Sequence, residues 1–189
     1  MTVAVNTLTS RAAKVLNDDG MVSWTQSELV DWLNEGQLAA VKIHPDANTK
    51  TINHTLVAGA KQANPSDCLE IVDMPRNVSG SVITPCDRNA LDRFSPDWRT
   101  TPTASTVTHW MDDVQPDTFY VYPCQSATPA TVVLTYSAIP TTVSAGGNIS
   151  IRDVYQDNLV NYILYRAYSK DAEVGNAERA VAYFNLFKG

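Results

Sequence analysis

Apolar positions recur at helical spacing over the first 44 residues, alternate like strands from about residue 50 to residue 143, and return to helical spacing after residue 150. Thr7–Leu16 predicts a short helix, closed by the turn-forming run Asn17-Asp18-Asp19-Gly20. A second helix has a sharp start. Thr25 can accept the backbone N–H of Glu28 while Glu28 reaches back, the capping-box arrangement. Leu29, Trp32, Leu33, Leu38 and Val41 then form an apolar stripe, Asp31, Asn34 and Glu35 occupy other faces, and Pro45 ends the helix. In the middle third, Val132, Leu134 and Tyr136 fall on one face of a strand and Thr131, Val133 and Thr135 on the other. Phe119 and Val121 oppose Tyr120 and Tyr122 in the same way. Further strands are expected near Ile52–Val57, Leu69–Met74, Ser81–Thr84 and Thr106–Met111, with one or two helical turns over Asp87–Phe94. Short strands with regular turn signals point to an antiparallel sheet or small sandwich, whose strand order the pattern does not give.

Toward the carboxyl end, Ser150 is a candidate cap for a helix from about Arg152 to Glu173, with Asp153 as its third-position acid. Gly175 stops it, and Asn176 caps a last helix to Phe187 whose stripe is Ala177, Ala180, Val181, Phe184 and Phe187. The longer helix is apolar nearly all round: Leu159, Tyr162, Ile163 and Ala167 on one stripe, Val160, Leu164, Tyr165 and Tyr168 beside it. Such a helix needs cover on more than one side, which a neighbouring molecule could supply. Thr141–Gly147 reads as a flexible connector. The pattern divides the chain into N-terminal helices (1–49), a β-rich part (50–149) and C-terminal helices (150–189).

Composition narrows the function. With 189 residues and 44% hydrophobic content the chain can hold a core without disulfides or metals. Fourteen Lys and Arg against 20 Asp and Glu give a net charge of −6, which argues against a dedicated grip on nucleic acid. Thr100 to Ile151 contains no Lys or Arg at all. The N-terminus lacks the basic start and apolar run of a secretory signal, and no segment approaches the ~20 apolar residues of a membrane span. Cys68, Cys86 and Cys124 are odd in number and widely spaced, as expected of free thiols in a protein made in a reducing cytoplasm.

Candidate chemistry is sparse. His44, His54 and His109 stand singly, without metal or protease spacing, and read as structural or solvent-facing. No phosphate loop, dinucleotide turn or nucleophile elbow occurs, and no cofactor is implied. Asp112-Asp113 could act as an acid–base pair in glycoside cleavage, but strand neighbours point to opposite faces, and a polar loop is the favoured reading. Cys86 has Arg88 nearby but no histidine partner in sequence. Trp32 belongs to the helix stripe. Trp98, within Ser95-Pro96-Asp97-Trp98-Arg99, is the better candidate for a surface anchor, with local packing as the stronger alternative.

Several stretches occur together in order: Trp32-Leu33-Asn34-Glu35-Gly36-Gln37, His44-Pro45-Asp46-Ala47, Gly59-Ala60-Lys61-Gln62, Pro96-Asp97-Trp98, Phe119-Tyr120-Val121-Tyr122-Pro123, Leu134-Thr135-Tyr136-Ser137 and Leu164-Tyr165-Arg166-Ala167-Tyr168-Ser169-Lys170-Asp171. The series, spanning about residues 24–187, resembles the small head-to-tail connector (adaptor) proteins of tailed bacteriophages. That resemblance implies an α+β subunit, with helices from both chain ends packed as a small bundle beside a central β domain. It also implies a non-enzymatic role in the virion neck. There a homo-oligomeric ring, usually a dodecamer, binds the portal protein, receives a tail or nozzle protein and lets genomic double-stranded DNA pass without sequence-specific binding, away from any membrane. Portal contact in such proteins maps here onto Tyr183, Phe184, Phe187 and Lys188, and the ring interface onto Val160, Leu164, Tyr165 and Tyr168. Trp98, Trp110, Asp112 and Asp113 are the tail-facing candidates. A chain ending at Gly189 leaves little room for a long terminal arm. The alternatives are a tail terminator or minor tail protein that never meets the portal and, from another class, a glycan-binding or glycan-cleaving module.

Overall fold

The computed structural model describes residues 2–171 and 176–189, and its chain forms two compact units, one from residues 1–48 and 139–189 and the other from residues 49–138. The fold is α+β. Residues 139–149, grouped above with the β-rich part, belong instead with the helices.

The helical unit contains α1 (Val5–Val15), α2 (Gln26–Ile43), α4 (Gln156–Lys170) and α5 (Asn176–Lys188). Thr25 caps α2 as its sequence implies, its hydroxyl accepting from Glu28 N at 3.4 Å, while the Glu28 carboxylate turns outward to pair with Lys170. Leu8 and Ala12 of α1 and Leu29, Leu33, Ala40 and Val41 of α2 form its core with Leu159, Ile163, Leu164 and Ala167 of α4. Gly36 lets α2 and α4 approach: a Cβ there would lie 3.0–3.2 Å from Cδ1, Cγ and Cβ of Tyr162. This close approach offsets the helix propensity that glycine gives up, about 1 kcal/mol relative to alanine.

Three sequence expectations change here. The α4 helix begins later than expected, after a 3-10 turn at Asp153–Tyr155, because Ser150 is engaged elsewhere. Its backbone N–H and hydroxyl donate to Gln37 Oε1 at 2.7 and 3.0 Å. The helix ends at Lys170; Glu173 and Gly175 lie outside the described residues. Second, the supposed flexible connector is pinned. Asn34 donates to Val143 O (3.0 Å) and accepts from Val143 N (2.9 Å), and Val5 N donates to Gly147 O at 3.0 Å. Third, the all-round apolar helix finds much of its cover inside its own chain. The α4 helix packs against α1, α2 and α5, and Val160 and Leu164 are buried there. They are therefore withdrawn as ring-interface residues.

The β unit holds two sheets. Strands β1 (Thr49–Thr55), β8 (Thr131–Ala138) and β3 (Cys68–Asn77) form an antiparallel sheet in the order β1-β8-β3. The other has the order β2-β7-β6-β4, from β2 (Gly59–Ala63), β7 (Thr118–Gln125), β6 (His109–Asp112) and β4 (Thr84–Pro85), with β5 (Thr103–Ala104) on β7. The short β4–β6 and β5–β7 pairings are parallel, a departure from the all-antiparallel expectation. Val132, Leu134 and Tyr136 of β8 meet Phe119 and Val121 of β7 in one core, with Met74 and Trp110. On the opposite face of β7, Tyr120, Tyr122 and Cys124 pack with Met111 and Trp98. The helix α3 (Arg88–Phe94), capped by Asp87, and the segment after it bring Leu91 and Trp98 onto that face. The Asn77 amide fastens a sharp corner: it donates to Val107 O at 2.7 Å and accepts from Val107 N at 2.9 Å, all buried.

Candidate interaction surfaces

Trp98, read above as the better surface anchor, is 0% exposed. Its indole Nε1 donates to Asp92 Oδ1 at 2.8 Å, Tyr120 meets the ring edge-on, and the Arg99 guanidinium lies 4.5 Å from the ring centre. Arg99 also pairs with Asp92 at 2.7 Å, and these two donors, Arg99 foremost, hold the Asp92 carboxyl below the usual carboxylate range. Trp110 is buried as well. Neither indole can offer its face to a tail protein from this position, so both are withdrawn as tail-facing residues. For Trp98 the structure bears out local packing, the stronger alternative in the sequence, and the cover comes from α3 folding over β7.

Asp112 ends β6 and Asp113 lies just beyond it, in the loop that follows. Asp112 is exposed, whereas the Asp113 side chain is 6% exposed and ties elements together. It meets Lys61 Nζ at 3.0 Å, Arg88 Nη1 at 3.3 Å, Thr118 Oγ1 at 2.9 Å and Val114 N at 2.7 Å. This is a structural clamp between β2, α3 and β7. Burial pushes the Asp113 carboxyl up, but Lys61, Thr118 and the Val114 amide outweigh it and hold the group below its ordinary value of 3.8. A lowered folded-state value means that the clamp's contribution is complete above the unfolded value and lost as pH falls through the folded one. Asp113→Asn is therefore expected to lower the urea midpoint near neutral pH and to converge with wild type as the pH falls well below 3.8. Equal gaps at both pH values would refute the clamp.

The histidines take local roles. His44 packs on Tyr155, His54 beside Phe119, and His109 on Tyr122 with its Nδ1 2.8 Å from the Thr84 hydroxyl. Burial pushes the His54 imidazole down and raises the Cys68 thiol to about 11, where it stays protonated. Among the described residues no cluster of three or more His, Cys, Asp or Glu could hold a metal ion, and no helix is long and apolar enough to cross a membrane.

The carboxyl-terminal helices carry the aromatic surface. Tyr162 meets Phe187 at 4.9 Å between ring centres, Tyr165 meets Phe184 at 4.8 Å, and Tyr168 stacks on Tyr183 at 5.6 Å. Asn158 Nδ2 donates to Phe187 O at 2.7 Å. Of the four portal candidates, Phe187 is buried in this ladder, Tyr183 and Phe184 are half-buried, and Lys188 is exposed with its ammonium 4.4 Å from the Phe184 ring centre. The ladder leaves an open groove of about 520 Å³ between α4 and α5, lined by Tyr165, Tyr168, Asp171, Ala177, Val181 and Phe184 among others. Two of the four expected ring-interface residues, Tyr165 and Tyr168, thus reach this groove. On the far side of α5 from it, Leu186 is 59% exposed.

One exposed residue escaped sequence reading. Phe94, last in α3, is 89% exposed. Leu91, one turn earlier, is half-buried against the Trp98 cluster, so α3 turns only part of its apolar surface inward.

The sequence profile of the SU10 adaptor protein family matches residues 3–189. No curated protein matches the chain.

Proposed function

The chain belongs to the SU10 adaptor protein family, and from this premise we propose that it is a structural phage adaptor whose copies form a ring beneath the portal. The ring joins the portal to a tail or nozzle protein and leaves a passage for the genome. The observation that carries this reading is the outward apolar character of α5. Leu186 is 59% exposed, one turn on from the half-buried Tyr183, whereas the exposed Lys188 lies on another face of α5 with its ammonium over the Phe184 ring. A helix that already covers α4 on one side and still presents a large aliphatic residue on the other suits a second partner. We assign portal contact to Leu186, Tyr183 and Lys188, with Phe184 and Phe187 holding the helix in place. The exposed Asp112 remains a candidate for the tail-facing side.

Electrostatics fits a conduit. Phosphate contacts made by Lys and Arg would retard a passing duplex. The 52 residues from Thr100 to Ile151 contain none. Affinity for the portal arises from repetition, since weak contacts around a ring act together.

Electron microscopy of the portal of the same phage mixed with this protein tests the reading, with an added ring expected below the portal. Leu186→Asp should weaken capture by about ten-fold or more, at unchanged helix content by circular dichroism. Capture by purified tails and never by portals would instead make the protein a tail component. Deleting α5 is a poorer test, because it strips Phe187 and the whole ladder from α4.

A further inference from the structure

Of the edges that the two sheets present, the β1 edge alone is undefended among the described residues. β1 runs from Thr49 to Thr55 without a proline or a register shift, and it pairs with β8 only. At the other end of the same sheet, β3 is interrupted by register shifts and carries Pro75. Returning chain covers it there, with Ile83 N donating to Pro75 O at 3.0 Å and Asn77 N to Ser81 O at 2.8 Å. The second sheet ends on β2, short and shifted in register between Gly59 and Lys61, and on β4, two residues long. Shifts, proline and brevity keep foreign strands from adding to a sheet, and β1 has none of them. We propose that the β1 edge is an interaction surface whose occupant is β1 of a second copy, laid antiparallel about Asn53.

Hydrogen-bond alternation fixes which backbone groups are on offer. Leu56 N donates to Ala130 O at 3.0 Å, one step beyond the Thr55–Thr131 pair, so Leu56, His54 and Ile52 turn their backbone groups toward β8. The N–H and C=O of Thr51, Asn53 and Thr55 therefore point to the open edge. Any extended chain can bond to such a row, and the side chains decide which one fits. Thr51, Asn53 and Thr55 are exposed on the outer face. There the Thr51 and Thr55 hydroxyls already meet those of Thr135 (2.9 Å) and Thr131 (3.3 Å) on β8. Ile52 and His54 face inward, Ile52 against the core around Leu134 and His54 beside Phe119.

The run Thr51-Ile52-Asn53-His54-Thr55 carries the same outer-face residues read in either direction, Thr, Asn and Thr. Two antiparallel copies of β1 centred on Asn53 place Thr51 opposite Thr55 of the second copy and Asn53 opposite its own counterpart. Each outward-pointing position then meets another and exchanges both backbone bonds. Threonine pairs of the kind already made with β8 continue across the junction, and Ile52 lies opposite His54 on the inner face. No Asp, Glu, Lys or Arg occurs from 51 to 55 to oppose its own image. Lys50, the charged residue of β1, is tied to Asp67 at 2.6 Å. The two three-stranded sheets become one continuous sheet. Because both copies contribute the same strand, the contact pairs copies and then stops, unlike the head-to-tail contact of a ring. It is a property of the free protein and stands whether or not copies form a ring.

Asn53→Lys and Asn53→Asp test the register, because each sets like charges against each other at the centre of the pair and neither removes a bond to β8. Analytical ultracentrifugation of the full-length protein should show concentration-dependent pairing of the wild type. Each variant alone should associate about ten-fold more weakly or worse, and an equal mixture of the two should recover. Unchanged circular dichroism and thermal midpoint check that the variants fold. Asn53→Cys gives a second readout. Under mild oxidation, mass spectrometry should find position 53 of one copy joined to position 53 of another, since facing residues of a hydrogen-bonded pair stand about 5.5 Å apart between Cα atoms. A wild type that stays monomeric up to about 1 mM overturns the pairing. So does association that the charged variants leave unchanged, or weakening that mixing does not relieve. A cross-link from position 53 to the portal or tail protein in place of a second copy overturns it too, and gives the edge to that partner. Pairing without any ring on portals supports this contact and counts against the adaptor ring, whereas a ring without pairing does the reverse.

Discussion

Trp98→Ala is expected to cost about 3–5 kcal/mol of stability, confined to the β unit. The side chain is wholly enclosed, so its removal leaves a cavity against Tyr120, Met111 and Cys124. It also takes away the hydrogen bond to Asp92 and the ring under Arg99. Those two losses loosen α3, because Asp92 is the helix's hold on the segment that follows it. Since the chain has two units, a single transition midpoint would blur the effect. Hydrogen exchange resolves it: amides of β7 and α3 should exchange faster while those of α2 and α4 keep their rates. A cost under about 1 kcal/mol, or a uniform change across both units, would contradict the packing described above.

Phe187→Ala should have an effect of similar size on the helical unit, again about 3–5 kcal/mol. The α5 helix has 13 residues and packs chiefly on α4. A helix of that length is marginal in water by itself, so its order depends on the ladder it completes. Removing the buried Phe187 ring breaks the contact with Tyr162 and takes away one of Phe184's ring neighbours, leaving Tyr165. Accelerated exchange across α5, with α1 and α2 unchanged, is the expected signature. Portal capture should fall together with helix order, although Leu186 and Lys188 are untouched. Retained order with lost capture would instead mean that Phe187 itself reaches the portal.

How much of this was legible beforehand depends on the range of the interactions involved. Thr25 and Glu28 mark the start of α2 because capping is decided within four residues. The alternation of Val132, Leu134 and Tyr136 marks a buried strand face because both partners of that face are apolar. The missed strand β2 is different: its inward positions are Ala60 and Gln62, the latter satisfied by Val57 N at 2.7 Å and Val57 O at 2.9 Å. A buried glutamine looks polar until its partners are seen. Trp98 was ambiguous for a related reason, since its shelter comes from α3 and β7, more than 20 residues apart in sequence. The connector was misread because glycine and threonine suggest freedom, while Asn34, over 100 residues earlier, removes it. On the candidate surface, the aromatic character of the last helix was plain from spacing. Which side each apolar side chain faced was not: Phe187 turned inward and Leu186 outward.

The helical unit is assembled from both ends of the sequence, with 90 residues of β structure intervening (49 to 138). During synthesis the amphipathic faces of α1 and α2 emerge well before α4, the helix that shelters them, has left the ribosome. The slot between α4 and α5 comes into being later still, so the helical unit closes only after the whole β unit has been made.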